Sequence, residues 1–327
     1  MDIAIIIVSY RTAELVIGAV RSIAAERASP EIRIRVVVVD NASGDAPAIC
    51  AAVAANGWSD WVRLVIAPRN GGFGYGNNLG IAHARAQAEP SYIYLLNPDA
   101  QVRPGAIAGL VRFLETHPDA GIAGSGIDNS DGSEWPIAFR FPSLLSEIES
   151  GLRFGPVSRV LRRWTVAQRM GSSPQRVDWV CGASMMIRPA ALAAVGGFDE
   201  NYFLYFEETD LCQRAARAGF QTWYVPDSRV MHIRGQSTGV TDMTLGPRRL
   251  PAYWFESRRR YFATRFGTGG GIAIDVIALL ANSLGTLKEV ALGRRRGVVP
   301  HFLRDLLRFS VLWKRNRSLP PVRCLRV

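Results

Sequence analysis

Ile3-Ala4-Ile5-Ile6-Ile7-Val8, closed by Ser9-Tyr10-Arg11, is an unbroken apolar run. A strand buried on both faces of a parallel sheet reads this way, because neither face needs a polar residue. An amphipathic segment over residues 12–26 fits a helix. Arg35-Val36-Val37-Val38-Val39-Asp40 then repeats the strand pattern and ends in the polar turn Asn41-Ala42-Ser43-Gly44-Asp45. Further strands are expected at residues 62–66 and 92–96, with a helix over about 77–87 between them. The β-α-β-α-β alternation predicts an α/β fold with a doubly wound, mostly parallel sheet, whose ligands sit at the carboxyl ends of the strands. Those ends carry Ser9-Tyr10, Asp40-Asn41, Asn70 and Asn97-Pro98-Asp99.

The chain has 327 residues, of which 48% are hydrophobic and 20% charged, so it can bury a large core and is not of the disordered class. Cys50, Cys181, Cys212 and Cys324 show no paired spacing, which argues for reduced thiols and against a zinc site. Met-Asp followed by an apolar strand lacks the basic start of a signal peptide, and a cytoplasmic protein is expected. The net charge of +11 is uneven. Residues 288–327 hold eleven Lys and Arg against Glu289 and Asp305, a net +9, which leaves the rest near neutral at +2. The main domain therefore needs no polyanion as partner.

Asn70-Gly-Gly-Phe-Gly-Tyr-Gly-Asn-Asn-Leu-Gly80 nearly fits a dinucleotide-binding fingerprint. That fingerprint belongs in the turn after the first strand, and Ser9-Tyr10-Arg11-Thr12 contains no glycine, which disfavours an NAD-dependent oxidoreductase. The segment reads instead as a flexible loop leading into a helix N-terminus, able to approach a phosphate closely. Asn97-Pro98-Asp99 sets a carboxylate in a proline-stiffened turn at a strand end, suited to a hard divalent cation already bound to phosphate oxygens. Residues 119–175 read as an irregular excursion carrying a mobile loop, with a hairpin turn at Asn129-Ser130-Asp131-Gly132. Strand character returns over residues 177–188, where Trp179 is either core or a ring-stacking platform, and over 221–225. His232 follows shortly after and suits a ligand residue.

From Gly196-Gly197-Phe198-Asp199 the chain crosses an aromatic run and enters a helix whose first turn holds Glu207, Glu208 and Asp210. An acidic first turn complements the helix dipole. Glu208 shares a helical face with Leu211, Cys212 and Ala215, whereas Glu207 and Asp210 lie to one side. A carboxylate at the head of a buried stripe is where a general base can sit.

Taken in order, Val8-Ser9-Tyr10, Val39-Asp40-Asn41-Ala42-Ser43, Asn70 to Asn78, Leu96-Asn97-Pro98-Asp99, Trp179 to Ala183, Gly197-Phe198-Asp199 and Tyr205 to Leu211 resemble the inverting family 2 glycosyltransferases. These have a GT-A fold with a Rossmann-like nucleotide-binding core, and the branch most similar is the bacterial one that holds rhamnosyltransferases. The resemblance covers roughly residues 1–240, taken as the catalytic domain, with 241–327 as a helical, basic C-terminal region. It implies that Asp40 binds the nucleotide base, with Ser9, Tyr10 and Asn41 in the same pocket. Asn70, Gly71, Asn78, Asn97 and Trp179 would frame the donor. Asp99, last in the family's Asp-x-Asp motif, would coordinate Mg²⁺ or Mn²⁺, joined by His232. Glu208 falls at the position of the catalytic base. The motif begins here with Asn97 rather than Asp, and Glu208 stands where relatives more often have Asp, so Glu207 and Asp210 remain candidates for the base. The implied activity is transfer of a sugar, rhamnose from dTDP-rhamnose being the leading donor, to a lipid-linked or polysaccharide acceptor. A non-catalytic nucleotide-sugar-binding protein is the alternative.

Residues 272–292 are apolar but place positions 275, 282, 286 and 289 on one helical face and 276, 280, 284, 287 and 291 on another, an amphipathic helix rather than a membrane span. Arg294-Arg295-Arg296 and a basic segment over about 301–317 follow. Such a tail suits an anionic cytoplasmic membrane surface, a helical cap on the domain being the alternative reading and nucleic acid the least favoured.

Overall fold

The computed structural model describes residues 1–27, 31–129, 132–232, 248–293 and 299–311. Arg294-Arg295-Arg296 and the basic residues beyond 311 lie outside them. The expected strands form, the first two slightly longer than expected: β1 (Asp2–Ser9), β2 (Arg33–Asp40), β3 (Val62–Ile66) and β4 (Tyr92–Leu96). They lie parallel in the order β3-β2-β1-β4. Along β1, Ile3, Ile5 and Ile7 pack under α1 (Ala13–Glu26) and its neighbours, while Ala4 and Ile6 pack on the opposite face under α3 (Gly72–Gln87). Both faces are covered, which is why the run shows no polar alternation.

The sheet continues through β11 (Ser184–Ile187), β6 (Ala120–Asn129), β12 (Gln221–His232) and β5 (Ala100–Val102). Strand β6 corrects the reading of residues 119–175 as an irregular excursion, because its first ten residues run through the buried sheet. Its glycines hide it from pattern reading: a side chain at Gly124 would collide with Val180. Strand β6 pairs antiparallel with β7 (Glu134–Trp135) on either side of the expected hairpin turn, whose Ser130 and Asp131 lie outside the described residues. The strand expected over 177–188 is broken into β9 (Gln175–Val177), β10 (Trp179–Val180) and β11. Strand β12 runs past the expected end at 225, with a register shift between Val225 and Arg229. Pro226, which has no N–H to donate, lies inside that irregularity.

The C-terminal α9 (Ala252–Ala291) is two helical arms joined at Gly267 (φ 73°), which fold back on each other so that Arg258 of the first arm meets Asp275 of the second. It packs along α5 (Leu144–Leu152), and α10 (Phe302–Phe309) packs on it in turn. Buried charge ties these parts together. Arg258, 2% exposed, donates to Asp275 and Glu147 at 2.6 Å each, and Arg260 donates to Asp199 at 2.6 Å.

Candidate active site

A cavity of about 390 Å³ opens at the carboxyl ends of β1, β2 and β4. That is the size range of small-ligand sites. Tyr10 and Thr12 reach it from β1, Asn41 from β2, and Asn97 and Pro98 from β4; Asn70, Gly72 and Phe73 form the wall at the start of α3. The glycine-rich segment is not a loop leading to residue 77, as expected, but the first turn of α3 itself. Gly72 makes this possible. It has φ +87°, and a side chain there would overlap the Phe203 carbonyl. Asn41 locks the turn, donating from Nδ2 to Asn70 Oδ1 at 3.0 Å and to the Gly72 carbonyl at 3.1 Å. No acid stands in the first turn of α3; its first two N–H groups donate to Asn70 Oδ1 and to the Phe203 carbonyl, each at 3.1 Å, where the positive end of this 16-residue helix borders the cavity.

At the next strand end, Asp99 is buried and lies against His232, Oδ1 to Nε2 at 3.1 Å. Antiparallel pairing of β12 with β5 sets this meeting, since His232 stands opposite Ala100 in the register. The second ring nitrogen, Nδ1, finds no hydrogen-bond partner among the described residues. No group of three metal-ligating side chains gathers among them. One carboxylate and one imidazole fit a hard cation whose remaining ligands are diphosphate oxygens and water.

The acidic helix α8 (Glu207–Arg217) is entered through two consecutive left-handed residues, Tyr205 (φ 69°) and Phe206 (φ 66°). Non-glycine residues hold this backbone only where surroundings enforce it. Here Tyr205 stacks on Tyr253 of α9, Phe206 packs against Trp254 and Tyr261, and Ser257 donates to the Leu204 carbonyl at 3.0 Å. The three acids then separate. Asp210 is held by Arg214 one turn on at 2.7 Å, and Glu207 is sealed at 2% exposure. Glu208 stays partly exposed and accepts from the backbone N–H of Gly182. Contrary to the expectation from helical phase, the two acids beside the apolar stripe are the more buried ones, because α8 is enclosed on most sides.

Burial raises the pKa of Glu208, and burial together with the charge of Glu208 raises that of Glu207 well above the carboxylate range. Each has one oxygen, Oε2, without a hydrogen-bond partner among the described residues. The Cys181 thiol is pushed up to about 12 by burial and by the charges of Glu208, Asp99 and Glu207. Adjacent residues just before β11 link the two candidate roles: the Gly182 N–H donates to Glu208, and the Ala183 carbonyl accepts from the Asn97 N–H at 3.0 Å, in the turn that carries Asp99.

Of the residues expected to bind the donor, Tyr10, Asn41, Asn70 and Asn97 line the cavity. Gly71 lies just behind it against the Tyr75 ring. The rest are turned to other contacts. Ser9 is fully buried and donates to Asp45 at 2.8 Å. Asp40 accepts from Ser43 and from the Ala46 N–H, closing the turn into α2 (Ala46–Ala55). Asn78 bolts α3 to the Phe198 backbone. Trp179 stacks on Phe139 at 4.2 Å and donates to the Arg140 carbonyl. Phe73, Phe203, Leu204 and Tyr253 complete the wall and were not singled out. The aromatic run at 202–206 was visible; that a helix fifty residues later would supply Tyr253 was not.

The sequence profile of the family described as "Glycosyltransferase like family 2" matches residues 1–246. N-acetylglucosaminyl-diphospho-decaprenol L-rhamnosyltransferase of Mycobacterium tuberculosis is 37% identical over 190 residues, which cover 54% of this chain and 61% of the relative. Rhamnosyltransferase WbbL of Escherichia coli K12 is 27% identical over 164 residues, 49% of this chain and 60% of the relative. The chain thus spans about three-fifths of the length of these relatives. Among solved structures, the mannosyltransferase PcManGT of Pyrobaculum calidifontis, in complex with GDP-Man and Mn²⁺, superposes with a TM-score of 0.56 at 14% identity, over 97% of this chain and 88% of that one. GalNAc-T7 with UDP, GalNAc and Mn²⁺ superposes with a TM-score of 0.58 at 14% identity, over 94% and 57%. The fold is GT-A.

Proposed function

Because the chain belongs to glycosyltransferase like family 2, we propose that it transfers a sugar from a nucleoside diphosphate donor to a lipid-linked or polysaccharide acceptor in cell-envelope glycan synthesis. Rhamnose carried on dTDP is the leading donor, a reading supported by the two relatives being rhamnosyltransferases. The observation that carries the reading is that the adjacent residues Gly182 and Ala183 hold Glu208 and the Asn97–Asp99 turn respectively, with Asn97 lining the open cavity and Asp99 set against His232.

In that site the exposed Tyr10 ring and Asn41 receive the nucleoside, and the positive dipole end of α3 borders the space for the diphosphate. Asp99 and His232 would hold Mg²⁺ or Mn²⁺; such an ion, when bound, supplies positive charge against the diphosphate leaving group. Glu208 takes the proton of the acceptor hydroxyl as its oxygen attacks the anomeric carbon and the bond to the diphosphate oxygen breaks. Its raised pKa makes it a stronger base than an ordinary carboxylate. A single displacement of this kind inverts the anomeric centre and leaves no covalent intermediate. Glu207 is sealed and adjacent, and burial together with the charge of Glu208 raises its pKa, which favours its neutral form beside the base. The enzyme would act peripherally at the inner face of the cell membrane, where a lipid-linked acceptor resides.

Nucleoside diphosphate release from a panel of nucleotide sugars, with lipid extract as acceptor and with or without EDTA, tests the activity. Glu208→Gln should keep donor affinity and lower transfer by about 10²–10⁴-fold. Transfer at the wild-type rate by that variant would reject Glu208 as base. Donor binding without release in any extract would favour a non-catalytic nucleotide-sugar-binding protein.

A further inference from the structure

The C-terminal helix is amphipathic in the opposite sense to a surface helix of a soluble protein. Its polar positions point inward: Asp275 is 1% exposed, paired to Arg258, and accepts from the Val311 N–H at 2.7 Å. Thr286 accepts from Arg153 at 3.1 Å, and Lys288 donates to the Leu152 carbonyl at 3.2 Å. At Gly285 the helix backbone meets that of Gly151 so closely that any side chain would overlap the Gly151 carbonyl. Helix α5 therefore occupies the polar face. The apolar face is left outward, with Leu280 at 60%, Leu284 at 59% and Leu287 at 66% exposure, extended by Val276, Val290 and Leu292. From Val276 to Leu292 the stripe is about 24 Å long at helical rise. An exposed apolar surface of that extent marks an interaction site.

Charge identifies the partner. No charged residue stands between Asp275 and Lys288, and Glu289 in the last turn is paired with Lys288 at 3.1 Å, so Leu280, Leu284 and Leu287 have no acid among them. The stripe's neighbour is strongly basic. From Glu149 to Asp178 the chain contains six arginines and no acid between those two. There, Phe154, Val160 and Trp164 are exposed among Arg159, Arg162 and Arg163, on and just after α6 (Gly155–Val160). The two elements meet, since the Phe154 ring lies 5.7 Å from Lys288 Nζ. An acid-free leucine stripe bordered by arginines and exposed aromatic rings fits the apolar–headgroup boundary of an anionic bilayer. A span across the bilayer would expose the whole circumference of the helix to lipid, whereas here α5 and α10 cover the other faces.

We propose that the leucine face of α9, together with the basic aromatic segment 154–164, is the surface by which the protein lies on an anionic membrane. The inference deepens the peripheral-membrane reading above and rests on it. The arm before Gly267 carries Tyr253 in the cavity wall and is tied to the leucine arm by the buried Arg258–Asp275 pair, so docking on this face fixes the cavity relative to the lipid surface.

Flotation of the full chain with phosphatidylglycerol-containing vesicles and with pure phosphatidylcholine vesicles tests this, using Leu280→Asp/Leu284→Asp and, separately, Arg159→Glu/Arg162→Glu/Arg163→Glu. Wild type should float with the anionic vesicles only, and each variant should lose at least tenfold in partition, with unchanged melting temperature and donor binding. Equal flotation of wild type and leucine variant would overturn the assignment of this face while leaving membrane association intact. No flotation of wild type would overturn both. Sedimentation velocity is run in parallel. Self-association abolished by the leucine changes, without vesicle binding, would assign the face to a second copy and overturn the proposal. Nucleotide release by the same preparations reports separately on the transferase reading.

Discussion

Replacing Gly72 with alanine tests the joint on which the site depends. The added methyl group would overlap the Phe203 carbonyl, whose Cα would lie only 2.8 Å away, and the backbone would be held at φ +87°. The left-handed conformation costs about 1–2 kcal/mol for a residue with a Cβ, and overpacking against backbone adds about 1–3 kcal/mol. The expected loss is about 2–5 kcal/mol, which corresponds to roughly 3–7 °C in Tm for a chain of this size. Phe203 is also the start of the strained turn that delivers Glu208, so a shift of about 1 Å there should lower kcat by about 100-fold. Gly219→Ala is the control. It has φ +93° but nothing within 4 Å of the added methyl, so it carries the strain without the overlap. Thermal unfolding and nucleotide-release kinetics on both variants separate the contributions. If Gly72→Ala is no more harmful than Gly219→Ala in both assays, the close approach of α3 to the 203 turn does not hold the site together.

Asp99→Asn should weaken Mn²⁺ binding in the presence of nucleoside diphosphate by about tenfold or more, read by titration calorimetry and independent of turnover; unchanged affinity would remove the Asp99–His232 pair from the metal site. Glu207→Gln should stabilise the fold at pH 8 and not at pH 4. The folded-state pKa of Glu207 lies well above its ordinary 4.5, so stability contributed by the bound proton is present at low pH and lost as pH rises through that shifted value. Urea midpoints across pH check it, and a variant equally affected at both pH values contradicts it. Arg258→Met leaves Asp275 and Glu147 buried without their cation, and should destabilise by about 3–5 kcal/mol; a loss under 1 kcal/mol in urea unfolding would show that the ion cluster does not anchor α9.

The four parallel strands were legible because burial on both faces forces an apolar run, and that demand acts on each residue locally. The order of the motifs carried the family, and the polar residues at strand ends carried the location of the cavity. Strand β6 was not legible: its glycines are required by Val180 and other neighbours distant in sequence, and they erase the apolar signal. Nor could spacing tell donor-facing groups from turn-building ones, since Asp40 and Ser9 are spent on local hydrogen bonds while Asn41 beside them faces the cavity.

Helical periodicity in residues 272–292 established two faces but not which one points inward. A polar stripe ordinarily faces water; here Arg258 and the end of α5 supply partners for it, and the buried ion pairs reverse the helix. The ranking of Glu207, Glu208 and Asp210 was decided in the same way, by Arg214 and the Gly182 N–H and by enclosure of α8 from other parts of the chain. Sequence alone determined which segments must be buried and which chemistry lies at their ends, because those are demands each segment makes for itself. Only the tertiary structure decided which polar groups remain unpaired and facing the cavity, because pairing depends on residues the chain brings together from far apart.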